Sequence, residues 1–146
     1  MLNAETPLPQ FGWRRSQGGR SLRVFVVENH DDTRILLCML LQQMGHTVRS
    51  AATMREALRA IPQNNYDILI SDIGLPDGDG WELMHRLERA RPPFAIAMSG
   101  RGMQGDYAKS RAAGYRHHLV KPTGPEQLAD ILDHAAHELQ NAPEPA

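Results

Sequence analysis

Three short apolar runs constrain what this chain can fold into. LRVFVV (22–27), DILIS (67–71) and FAIAM (94–98) are dominated by aliphatic residues, too short for helices and without clean alternation. Runs of this kind are strands covered on both faces, as in a parallel sheet. Between them the period changes. Ile35, Leu36, Met39, Leu40 and Met44 recur at helical spacing, with Asp31 or Asp32 as the expected cap and Gly45 as the stop. HTVRSA (46–51) alternates and reads as a more exposed strand. Thr53 and Glu56 have capping-box spacing for a helix over 54–61. GLPDGDG (74–80) reads as a loop, and WELMHRLERA (81–90) as a helix buried through Trp81, Leu83, Met84 and Leu87 and ended by Pro92 and Pro93. A weaker helix over 104–113 stops at Gly114, and HHLV (117–120) is the fifth strand. Thr123 and Glu126 repeat the capping-box spacing ahead of a last helix carrying Leu128, Ile131, Leu132, Ala135 and Leu139 on one face.

Strands alternating with helices predict βαβ units: an α/β fold with a doubly wound, five-stranded parallel sheet and helices on both faces. Five strands fit the flavodoxin-like order 2-1-3-4-5, in which ligands bind beyond the carboxyl ends of the strands, at the switch point between strands 1 and 3. The alternation fills residues 22–140 and leaves 1–21 as an expected flexible leader and 141–146 as an expected flexible tail. Within 146 residues no room is left for a DNA-binding output domain, so output is expected to pass through a protein partner. A net charge of −1 gives no basic footprint for nucleic acid. The longest apolar run, Ile35 to Leu41, is seven residues, whereas a membrane span needs about 20. Cys38 is the only cysteine, which excludes an internal disulfide framework. A cytoplasmic protein without membrane contact is expected.

The strand exits carry the chemistry. Strand 1 runs into Glu28 and Asn29, strand 3 into Asp72, strand 4 into Ser99 and strand 5 into Lys121, whereas strand 2 ends in Ala51 and Ala52. Polar residues therefore follow just those strands that border the expected crevice. Carboxylates and an amide oxygen are hard ligands of the kind that hold Mg²⁺ while leaving positions for water and phosphate oxygens. A carboxylate, a divalent cation, an amine and a hydroxyl around one point suit phosphoryl transfer, with the carboxylate itself as nucleophile.

VFVVEN (24–29), SDIGLPDGDGWEL (71–83), AIAMSG (95–100) and HLVKP (118–122), in that order, resemble the response-regulator receiver domains of two-component signalling, whether stand-alone and chemotaxis-regulator-like or part of a hybrid histidine kinase. The resemblance covers roughly 22–140. It implies that Asp72 is the phosphoacceptor, and that Glu28, Asn29, Asp72 and the Gly74 carbonyl hold Mg²⁺. It further implies that Ser99 and Lys121 contact the phosphoryl group, that the Lys121–Pro122 bond is cis, and that His118 stands where an aromatic side chain often switches rotamer. The implied partners are a histidine kinase or histidine phosphotransfer protein upstream and a protein bound on the helix 4–strand 5–helix 5 face downstream. Such a domain is not an enzyme on other substrates; it catalyses only its own phosphorylation and dephosphorylation.

Asn29 departs from the usual Asp, so Mg²⁺ is expected to bind more weakly than after Asn29→Asp. The same departure leaves a phosphorylation-independent docking module as the alternative. His118 replaces the usual Tyr or Phe. Gly74 and Arg101 are expected to flank the approach of hydrolytic water. Cys38, Trp81 and Met84 are expected to serve packing. His134 and His137, three residues apart on the last helix, lack an obvious third ligand for a metal.

Overall fold

The structure, a computed structural model, describes residues 21–100 and 107–141. Nearly all of the expected leader, the tail from 142, residues 104–106 of the fourth helix and Arg101 lie outside the described residues. The elements in chain order are β1 (Arg23–Val27), α1 (Asp31–Gln43), β2 (Thr47–Ala51), α2 (Met54–Ala60), β3 (Ile68–Asp72), β4 (Gly74–Leu75), β5 (Gly78–Asp79), α3 (Gly80–Leu87), β6 (Phe94–Ser99), α4 (Tyr107–Ala113), β7 (His117–Val120) and α5 (Pro125–Asn141). The main sheet has the order β2-β1-β3-β6-β7, and every pair in it is parallel. With β6 and β7 as its fourth and fifth strands, this is the expected flavodoxin-like order. β4 and β5 form a separate antiparallel hairpin within the segment expected to be a loop.

Alternate residues of the central strands feed two cores, as pleating requires. Val24, Val26, Ile68, Ile70, Ile96 and Met98 pack with α1 and α5 on one face. Phe25, Val27, Leu69, Ala95 and Ala97 pack with α2, α3 and Tyr115 on the other. Cys38 and Trp81 are half-buried against these cores and Met84 is buried, in keeping with packing roles. Gly45 and Gly114 end α1 and α4 with positive φ of 98° and 110°, the backbone region where a Cβ is penalised.

Three local expectations need correction. In α1 the buried residues are Leu37, Leu40 and Leu41, while Ile35, Leu36 and Met39 are exposed. The run is apolar all round, so its period could not identify the inward face; the docking angle of the helix chose it. The residue at the start of α1 is His30, with no side-chain cap, and Asp31 and Asp32 lie in the first turn, where their charge meets the positive end of the helix dipole. Thr53 does cap α2, accepting the Glu56 N–H. The second expected box is displaced: α5 starts at Pro125, the Gly124 N–H donates to Gln127 Oε1 at 3.4 Å, and the buried Thr123 hydroxyl has no hydrogen-bond partner among the described residues.

Candidate functional site

The acidic residues meet where β1 and β3 end. The two strands pair in register from Val24 opposite Ile68 to Val27 opposite Ser71, so Glu28 and Asp72 leave the sheet side by side. Lys121 directly follows the end of β7 and is joined to Pro122 by a cis peptide. Its Nζ donates to Glu28 Oε1 at 2.6 Å and to Asp72 Oδ2 at 2.6 Å. The side chains of Glu28 and Asp72 are 0% and 11% exposed, and that of Lys121 is 23% exposed. The remaining carboxylate oxygens take backbone donors: Glu28 Oε2 from the His30 N–H at 3.0 Å, and Asp72 Oδ1 from the Gly74 N–H at 3.2 Å.

Two carboxylates facing one ammonium leave one net negative charge in a buried place. Burial pushes the Asp72 carboxyl above its ordinary range; Lys121 opposes this, and the charge of Glu28 adds to it. For Glu28, burial also favours the neutral form, but the bond from Lys121, the His30 N–H and the ammonium charge together hold it below its ordinary value. Burial favours a neutral Lys121, yet its bonds to both carboxylates raise its pKa, so it remains an ammonium.

Ser99 and His118 form a second group. Ser99 ends β6 opposite Val120 of β7, and the Lys121 N–H donates to the Ser99 carbonyl at 2.8 Å, which ties this group to the first. Ser99 Oγ and His118 Nε2 are 2.6 Å apart, and Tyr107 packs edge-on against the His118 ring at 4.5 Å. His118 therefore turns toward Ser99 and is half-buried. Asn29 and Gly74 are exposed beside the acidic pair. The donor set fits Mg²⁺: oxygens only, with a residual negative charge that burial makes costly.

Sequence reasoning missed several residues that support the site. Tyr115 donates its hydroxyl to the Gly80 carbonyl at 2.7 Å. A Cβ on Gly80 would stand 2.9 Å from the Asp72 carbonyl oxygen and 3.1 Å from the Tyr115 hydroxyl, so α3 can start this close to the site only on a glycine. Asp77 accepts the Met54 and Arg55 N–H groups at 2.8 and 2.9 Å, fastening the β4–β5 hairpin to the start of α2. Arg34 donates to the Glu28 carbonyl at 2.9 Å. Only the glycine-rich loop itself was a signal; the partners across the chain left none.

The sheet order and the polar rim define a receiver-type α/β domain, and the comparisons agree. The family model described as the response regulator receiver domain matches residues 24–133. The chain belongs to that family, the receivers of two-component signalling. It is similar to the KDP operon transcriptional regulatory protein KdpE of Escherichia coli strain K12, with 32% identity over 124 residues covering 84% of this chain and 55% of KdpE. It is also similar to the transcriptional regulatory protein TcrA of Mycobacterium tuberculosis, with 33% identity over 108 residues covering 73% of this chain and 43% of TcrA. The chain thus spans about half the length of these two relatives. Among solved structures, a CheY-like response regulator receiver domain protein from Methanospirillum hungatei matches with a TM-score of 0.76 and 25% identity, covering 84% of this chain and all of the other. No described helix is long and apolar enough to cross a membrane.

Proposed function

We propose that this receiver accepts a phosphoryl group on Asp72 from the phosphohistidine of a histidine kinase or histidine phosphotransfer protein. The observation that carries this reading is Lys121 Nζ at 2.6 Å from both Asp72 and the buried Glu28. A carboxylate oxygen of Asp72 forms the new O–P bond as the donor's P–N bond breaks. The electron pair returns to the imidazole, which leaves neutral when its other nitrogen carries a proton. Lys121 neutralises charge gathering on the phosphoryl oxygens. Ser99 can donate its hydroxyl proton to a phosphoryl oxygen while accepting from His118 Nε2, so arrival of the phosphoryl group fixes the direction of the Ser99–His118 bond. Glu28, Asn29, Asp72 and the Gly74 carbonyl would hold Mg²⁺, which supplies further charge neutralisation when bound.

The donor side of this reading is the α1 edge. A groove of about 450 Å³ runs beside Lys121, lined by Leu36, Leu40, Met98 and Pro122 among others. Leu36 of that lining is 56% exposed, and Ile35 and Met39 on the same helix are 54% and 49% exposed. The downstream protein would bind the α4–β7–α5 face, which borders Ser99–His118. The receiver unit spans 22–140, works in the cytoplasm and catalyses only its own phosphorylation and dephosphorylation.

Intact-mass measurement after incubation with Mg²⁺ and a small acyl phosphate tests this. One phosphoryl adduct is expected, and Asp72→Asn should abolish it. An unmodified wild-type chain that also fails to bind a beryllofluoride mimic would favour the phosphorylation-independent docking module. Asn29→Asp adds a charged ligand and is expected to tighten Mg²⁺ several-fold in a metal titration.

A further inference from the structure

Well away in chemistry from the oxygen-lined pocket, His117, His134 and Glu138 converge where β7 meets α5. One ligand atom from each lies within 4.8 Å of the others. His134 Nε2 is 3.0 Å from Glu138 Oε1, one helical turn along α5. The His117 and His134 rings meet edge to face at 5.0 Å. His137, the neighbour suggested by spacing alone, turns elsewhere and contacts Asn141 at 3.1 Å.

Other residues hold these groups in ligand-ready states. Phe94 stacks on the His117 ring at 5.4 Å, fixing its plane. Arg116 Nη1 donates to Glu138 Oε2 at 2.9 Å, so Oε1 is the oxygen left toward His134.

We propose that His117, His134 and Glu138 are the protein ligands of a site for a late first-row divalent metal, such as Zn²⁺, that ties β7 to α5. Two imidazoles and a carboxylate with an open position form a donor set such ions favour. Metal–ligand distances of about 2.0–2.1 Å at tetrahedral angles put ligand atoms about 3.3 Å apart. The ligand atoms already lie within 4.8 Å of one another, and the His134 side chain, 51% exposed, has room to move toward that spacing. His117 adjoins His118, so a metal here would also pin the strand that carries the Ser99–His118 bond.

Calorimetric titration of the full chain with Zn²⁺, at a pH about one unit above the ordinary imidazole value, tests this. With the oxygen-lined pocket kept filled by excess Mg²⁺, a single Zn²⁺ site is expected. His117→Gln and His134→Gln should each weaken it at least about tenfold, the loss that removing even an outer partner of a metal ligand brings. His137→Gln and Asp72→Asn should leave it unchanged. In the wild type, Zn²⁺ should shift the imidazole NMR signals of His117 and His134 and spare those of His137, a readout that needs no variant to fold. No binding, binding insensitive to both ligand variants, or binding lost with Asp72→Asn or His137→Gln would overturn the site.

Discussion

At the ends of β1 and β3, Glu28 and Asp72 are 0% and 11% exposed and share one ammonium at 2.6 Å. At the ends of β6 and β7, Ser99 and His118 meet in one 2.6 Å hydrogen bond, and all four residues of β7 are only half-buried. The first group hangs on central strands, with β3 buried along its whole length; the second reaches the edge strand of the sheet. Charge needs the first kind of support. Its electrostatics are strong only where water is excluded, and its cost is tolerable only where every oxygen has a donor. A group that, on the proposed function, responds to a new phosphoryl group is better served by the second kind. An edge strand can shift while breaking hydrogen bonds on one side only, and its half-exposed side chains lose little packing.

Substitutions should separate the two groups. Lys121→Met should have the larger effect. It leaves Glu28 and Asp72 facing each other without a cation, and should cost about 1–3 kcal/mol of stability in urea denaturation without metal. Mg²⁺ should restore more stability to the variant than it adds to the wild type, and phosphoryl uptake should fall. A loss no greater than that of a surface lysine would mean that the centre is not held by charge.

His118→Phe should do less. It removes one hydrogen bond at the edge and should cost about 1 kcal/mol, with a smaller effect on phosphoryl uptake than Lys121→Met. If it slowed uptake as much, the edge would belong to the chemistry rather than to the response.

The smallest effect is expected at the opposite end of β1. His46 is buried there, and its Nδ1 accepts the Leu22 N–H at 3.1 Å. Burial lowers its pKa in the folded chain, and the charge of Asp133 offsets part of that. Below the ordinary imidazole value the unfolded chain therefore binds more protons than the folded one. The stabilisation from neutral His46 is complete above about pH 6.5 and is lost as pH falls through the depressed folded value. His46→Gln should flatten that part of the stability–pH profile, seen as a difference from the wild type below pH 6.5. An unchanged profile would show that burial does not set the protonation state at this end.

Much of the fold was legible because it rests on short-range pattern. Ile68 to Ile70 and Phe94 to Met98 are apolar without alternation, and no other arrangement covers both faces of such strands. The strand exits were legible for the same reason: a polar residue directly after a buried run must emerge at the rim. The α1 face was not legible, because Ile35 through Leu41 is apolar in every direction and periodicity carries no information there. Thr123 misled because spacing alone does not say where a helix begins; Pro125, with its fixed φ and missing N–H, set the start. The third partner for His134 was out of reach, since the ring that meets it comes from β7, seventeen residues back in the chain.

By itself the sequence determined which residues alternate, which runs are buried, and that Glu28, Asp72, Ser99 and Lys121 stand at strand ends, because these follow from local period and polarity. Only the tertiary structure decided that one ammonium bridges both carboxylates, that His118 turns inward to Ser99, and that His117 joins His134 and Glu138. Each of those depends on register and packing between segments distant in the chain, where a shift of one residue would point the same side chain to the opposite face.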